Sequence, residues 1–148
     1  MAGVETTQEP TGQIPDPAEL IETLPVAVVC TDDDEHYTLR FANSQAAELL
    51  GYDRDEFLHG RKYAAATVVH PDDLPVLERA DHAHRRGIDR IVLRYRLIAS
   101  DGSVIPVLDV GTRRLDASGR LVGFTSVLID LRELPALQGP PAILTNLP

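Results

Sequence analysis

Hydrophobic and polar positions change rhythm several times along this chain. Val26-Ala27-Val28-Val29-Cys30 is a short unbroken apolar run, the pattern of a buried strand. The acidic run Asp32-Asp33-Asp34-Glu35 interrupts it and predicts a solvated loop, after which His36 to Phe41 predicts a second strand pairing back. Asn43 follows as a helix N-cap, and Ser44 to Leu50 reads as a short helix closed by Gly51. Asp53-Arg54-Asp55-Glu56 fits a capping box and predicts a helix through Leu58 that ends near Gly60. His70-Pro71-Asp72-Asp73 opens a longer helix to about Arg86, closed by Gly87. Alternating segments at about 90–99, 103–115 and 120–129 then predict three strands. They are joined by the tight turns Asp101-Gly102-Ser103 and Asp116-Ala117-Ser118-Gly119.

The ends differ from this middle. Residues 1–15 are polar, with Pro10, Gly12 and Pro15, and read as a disordered tail. Asp16-Pro17 starts a short helix whose apolar face is Leu20, Ile21 and Leu24, stopped by Pro25. So short a helix is marginal unless docked, either on its own domain or on a second copy. After Leu134 the residues Pro135, Gly139, Pro140 and Pro141 predict a Pro-rich tail over 135–148, leaving one domain over 16–134.

Composition narrows the function. A formal charge of -9 disfavours nucleic acid, whose phosphates need a basic surface. Thirteen of the fourteen basic residues are Arg, Lys62 being the exception, which leaves the charge argument unchanged. Cys30 is the lone cysteine, which excludes an internal disulfide and any multi-cysteine metal site. The consecutive acids at 32–35 lack the glycine-containing pattern of a calcium loop, so no metal site is expected. No apolar run approaches the ~20 residues of a membrane span and no signal region is seen, so the expectation is a cytoplasmic protein away from membranes. There is no nucleophile elbow, phosphate loop or HExxH pattern, and no enzyme activity is expected.

Strand alternation supplies candidate sites. Alternation groups Leu93 with Tyr95, Val107 with Asp109 and Gly111, and Phe124 with Ser126 and Leu128, while the family resemblance given below implies that Leu93, Tyr95, Val107, Asp109, Phe124, Ser126 and Leu128, with Val29 and Thr31, are the candidates for a cavity wall facing the helices. A carboxylate such as Asp109 facing a cavity is costly unless paired or serving a polar ligand; the competing placements are a register shifted by one residue, or an arginine partner at the rim. The opposite face, with Val104, Pro106, Leu108 and Val110, is unusually apolar and predicts contact with the helix around Leu20, Ile21 and Leu24 of its own chain or of a partner.

Several pieces, in order and spacing, resemble the PAS sensor-domain family with its PAC segment over residues 18–133. They are Asn43-Ser44-Gln45-Ala46-Ala47 with Leu50-Gly51-Tyr52, His70-Pro71-Asp72-Asp73, Asp101-Gly102-Ser103, Gly119 with Val122-Gly123, and Asp130-Leu131-Arg132. The resemblance implies an α+β fold with a five-stranded antiparallel sheet in the order 2-1-5-4-3, and short helices on one face enclosing a small cavity. It also implies a homodimer, and a signal junction at Asp130 and Arg132 leading to a kinase, cyclase or transcription regulator. That effector acts in trans or belongs to a longer bacterial signalling chain. Arg132 stands where the family's junction has Thr. Flavin photosensors of the family carry a reactive cysteine where this chain has Tyr63, and Cys30 is expected to point away from the pocket, which excludes a cysteinyl-flavin photocycle. Haem-binding members use a histidine on the long helix. Here His70 reads as a turn residue, and His82 and His84, two apart, read as surface residues. The cofactor is therefore unknown: a small organic ligand is the expectation, with haem and flavin each disfavoured.

Overall fold

The structure, a computed structural model, describes residues 12–53, 55, 56 and 65–148. Helix α1 (Pro17–Thr23) precedes strands β1 (Ala27–Asp32) and β2 (Leu39–Ala42) and helix α2 (Ser44–Leu50). Helix α3 (Ala65–Val68) and a 3-10 turn (Pro71–Asp73) lead into α4 (Leu74–Arg85). Strands β3 (Arg90–Ile98), β4 (Val104–Leu115) and β5 (Leu121–Asp130) follow, and β6 (Ala142–Ile143) ends the order. All pairings are antiparallel and the sheet runs β2-β1-β5-β4-β3-β6. The predicted order is present with one strand added.

Both hairpin turns form for the reasons legible in their residues. Asp101 Oδ1 accepts from Ser103 N at 2.8 Å, and Asp116 Oδ1 accepts from Ser118 N at 2.9 Å. Gly102 and Gly119 each sit at φ +85°, a conformation that side-chain-bearing residues resist.

Asn43 joins three elements at the start of α2. It is fully buried. Its Oδ1 accepts from Ala46 N at 3.1 Å, as an N-cap, and from Val28 N of β1 at 2.9 Å. Its Nδ2 donates to Ile21 O at 3.0 Å and Val26 O at 2.9 Å. Asp73, also buried, holds α4 to the sheet. Its carboxylate accepts from Arg96 N at 2.8 Å, Nε at 2.9 Å and Nη2 at 2.7 Å, and these bonds hold its pKa below the usual carboxylate range.

Four expectations need correction. The second strand begins at Leu39, not His36, because Asp34 Oδ1 accepts from His36 N and Thr38 N and turns the chain there. The acidic run is not simply solvated: Asp32 ends β1 and pairs with Arg40, and Asp33 pairs with Arg85 of α4. Among the described residues the sheet has six strands rather than five. The stretch 135–148, expected as a tail, packs back along β3. There Arg94 donates to Leu137 O at 3.1 Å and Pro140 O at 2.9 Å, Leu144 N bonds Val92 O, and Thr145 Oγ1 accepts from Val92 N at 2.7 Å. Prolines spare this strap unmet donors, and arginine and backbone groups of β3 satisfy its carbonyls. The capping box begins as read, with Asp53 Oδ1 accepting from Asp55 N and Glu56 N. The rest of that helix to Gly60, Tyr63, and residues 1–11 of the N-terminal tail lie outside the described residues.

Replacing Asn43 with Ala removes a cap and leaves buried amide and carbonyl groups of three elements without partners. The expected loss is about 3 kcal/mol in urea unfolding. A loss under about 1 kcal/mol would show that water replaces the carboxamide at this joint.

Candidate functional site

Alternation along β3, β4 and β5 turns one set of side chains toward α2 and α4. Between the helices and the sheet lies a partly open cavity of about 100 Å³. Val29 and Thr31 of β1, Leu93 and Tyr95 of β3, Asp109 of β4, and Phe124, Ser126 and Leu128 of β5 all line it. Val107 does not. It is fully buried in the hydrophobic core, close-packed beside the cavity rather than on its wall. Cys30 points away from the cavity, its Sγ 3.5 Å from Thr125 Oγ1.

Asp109 is the chemical centre of the wall. The register sets it between Leu93 of β3 and Leu128 of β5, so both strand neighbours are apolar. It is 7% exposed. Tyr95 Oη donates to its Oδ2 at 2.8 Å, while Oδ1 has no hydrogen-bond partner among the described residues. Burial pushes its pKa up to about 6, against a smaller lowering by Tyr95 and the nearby Ser126 hydroxyl. Tyr95 is raised well above its ordinary range, by burial first and by the Asp109 charge second. The competing placement, an arginine partner at the rim, is not what the structure holds.

His84 corrects a second expectation. Expected at the surface, it is 5% exposed and lines the cavity, while His82 is exposed. Val76, Ala80, Ala83 and His84 share the buried face of α4, and that spacing was the available signal. Nδ1 lies 2.8 Å from Ile88 O, so the proton sits on Nδ1 and the Nε2 lone pair is left over. Burial lowers the pKa of the ring. His70 behaves as read, its Nδ1 accepting from Asp72 N at the 3-10 turn. Sequence reasoning also missed Tyr37, Asp81 and Gly111 on the cavity wall. Tyr37 packs edge-on against Phe124 and donates to Asp81 Oδ2 at 3.3 Å, and burial with the Asp81 charge raises its pKa.

The other candidates sit apart from the cavity. Leu20 and Ile21 are exposed on α1, Leu24 is half-buried, and α1 packs beside α2. Pro106, Leu108 and Val110 are half-buried on the outer sheet face, with Val104 exposed. Asp130 and Arg132 bind each other, Arg132 Nη2 to Asp130 Oδ2 at 2.7 Å. No group of three metal-ligating side chains occurs among the described residues.

A raised carboxyl pKa makes its contribution to stability present below the unfolded value of 3.8 and lost as pH rises through about 6. Asp109→Asn keeps the acceptor for Tyr95 and removes the titration. Its stability relative to wild type should rise by roughly 3 kcal/mol between about pH 4 and pH 7. Urea melts across that range check this, and a flat difference would place Asp109 in contact with water.

The geometry has counterparts among known proteins. The model of the PAS fold family matches residues 39–128. A PAS domain from Colwellia psychrerythraea superposes with a TM-score of 0.68 at 15% identity, covering 78% of this chain and 94% of that one. A PAS domain of a two-component sensor histidine kinase superposes at 0.61 with 14% identity, covering 76% and 90%. A light-oxygen-voltage domain studied with a flavin analogue superposes at 0.61 with 20% identity, covering 76% and 82%. At these identities the superpositions speak for the fold. No curated protein matches. With the family model spanning most of the chain and the same sheet and helices present, the chain belongs to the PAS fold family of sensory and signalling modules.

Proposed function

We propose that this protein is a non-enzymatic PAS signalling module that senses a small ligand in the cavity between sheet and helices. One observation carries the reading: a carboxylate with an unpartnered oxygen lines a cavity that is otherwise mostly apolar. Leaving such a group in a core without use is costly. The small volume speaks against a large cofactor. Sites for drug-sized ligands run to about 300–1,000 Å³, and this cavity is about 100 Å³. His84 presents Nε2 as a haem ligand would, yet a cavity of about 100 Å³ favours a ligand smaller than a porphyrin or a flavin. The same small volume favours a second reading, an interaction module whose core is essentially filled.

The signal leaves through dimer or partner contacts. Leu20, Ile21 and Leu24 of α1 and Pro106, Leu108 and Val110 of the sheet are the surfaces offered to a second copy. The Asp130–Arg132 junction faces a downstream kinase, cyclase or transcription regulator of a bacterial signalling chain. No helix among the described residues is long and apolar enough to cross a membrane. That fact and the acidic charge support a cytoplasmic setting away from membranes and nucleic acid.

Native mass spectrometry of freshly purified protein should show an intact mass exceeding the denatured mass by one small molecule. Equal masses would favour the filled-core module. An absorption spectrum with a Soret or flavin band would instead reinstate a large cofactor. For the outlet, removing residues 1–24 should turn a dimer into a monomer or an aggregate in light scattering. A full chain that is monomeric at high concentration would eliminate the dimer.

A further inference from the structure

Three hydrogen-bonding groups converge where β4 has no side chain. A Cβ placed on Gly111 would lie 3.4 Å from Asp109 Oδ1, 3.4 Å from Ser126 Oγ and 3.8 Å from His84 Nε2. Gly111 pairs with Ser126 across the β4–β5 ladder, so the glycine leaves an opening directly beside that hydroxyl. The opening belongs to the cavity, and all four residues line it.

The polarity of these groups is one-sided. Asp109 Oδ1 is a carboxylate oxygen without a partner among the described residues, its sister Oδ2 being occupied by Tyr95. His84 has its Nδ1 proton committed to Ile88 O, so Nε2 accepts. Ser126 Oγ accepts as readily as it donates. A second carboxylate, Asp81, also lines the cavity, and its Oδ1 is likewise buried and unpartnered. Among the described lining residues there is no Lys or Arg. The site therefore rejects anions. An alcohol offers one donor and leaves acceptors unmet, whereas a primary ammonium offers three N–H groups to three acceptors and a charge to a carboxylate.

Size and the remaining wall complete the fit. A cavity of ~150 Å³ accommodates benzene, so the cavity here, at about 100 Å³, takes about four or five heavy atoms. Leu93, Leu97, Leu128 and Phe124 provide an apolar end for the rest of the molecule. We propose that the cavity binds a small aliphatic primary amine as its ammonium ion, held by Asp109, Ser126 and His84 around Gly111. This deepens, and rests on, the reading of the protein as a cavity sensor.

The test uses isobutylamine and its neutral isostere isobutanol, titrated into the 15N-labelled full chain at neutral pH. Amide shifts at Gly111 and Ser126 report occupancy. The amine should saturate these shifts and bind at least tenfold more tightly than the alcohol. Asp109→Asn, which keeps the acceptor for Tyr95, should weaken the amine at least tenfold and leave the alcohol nearly unchanged. Gly111→Ala makes contacts of 3.4 Å that the fold tolerates, and it should also displace the amine by filling its place. The comparison of amine with alcohol on the wild-type chain holds even if a variant does not fold. Equal affinity for the two probes, or amine binding indifferent to Asp109→Asn in a folded variant, overturns the proposal while leaving the cavity-sensor reading standing. No shift at Gly111 and Ser126 with the amine also overturns it, and a co-purified mass of another molecule would then keep the broader reading alive.

Discussion

Strand β4 is paired on both sides, to β3 and to β5, from Val107 to Thr112. A strand held this way has no freedom to rotate or slip, and a shift of one residue would turn every side chain to the opposite face. The same constraint that buries Ile105 and Val107 carries Asp109 into the interior two residues further on. The chain cannot relieve the carboxylate by moving it. It can only surround it, with Tyr95 from the next strand on one oxygen. The carboxylate's position thus follows from sheet register and is as rigid as the sheet.

The helical side of the cavity is held by different means. Asn43 and Asp73 are short polar side chains buried where a helix begins, and each spends several hydrogen bonds on backbone or side-chain groups of another element. Buried polar groups of this kind favour one arrangement over others, because near-miss packings leave them unmet. Tyr37 with Asp81, and Asp33 with Arg85, connect the β1–β2 turn to α4 at the cavity wall. These contacts are a partly exposed ion pair and a long hydrogen bond, each worth less than a buried equivalent. The cavity therefore has a stiff floor and a softer side near Tyr37.

Much of this was legible in the residues. Strand alternation combined with the family resemblance placed Asp109, Tyr95 and Ser126 on one face, and the Asn, Asp and Gly signals located the caps and turns. Three features were not. His84 was misjudged because a histidine near a helix C-terminus has a good reason to be exposed, and only the spacing from Val76 and Ala80 opposed it. Alternation set Gly111 on the same face as Asp109, but its role was hidden, since an absent side chain matters only once its neighbours across the sheet are known. The strap after Leu134 was hidden by its composition. Proline and glycine normally mark breaks, and what pins this segment is Arg94, more than forty positions earlier in the chain.

That strap has a consequence for how the sheet meets its surroundings. An unpaired edge strand is a template on which other chains add strands and aggregate. At nine residues, β3 would be a long and inviting edge. The return of the chain as β6, with Leu144 and Thr145 also bonded to Val92, occupies part of that ladder. At the other margin lies β2, only four residues long and carrying the exposed Arg40. Short length and an outward charge both discourage strand addition. Among the described residues the sheet thus has a guarded margin at each side, and growth by edge-to-edge polymerisation is disfavoured even in a crowded solution.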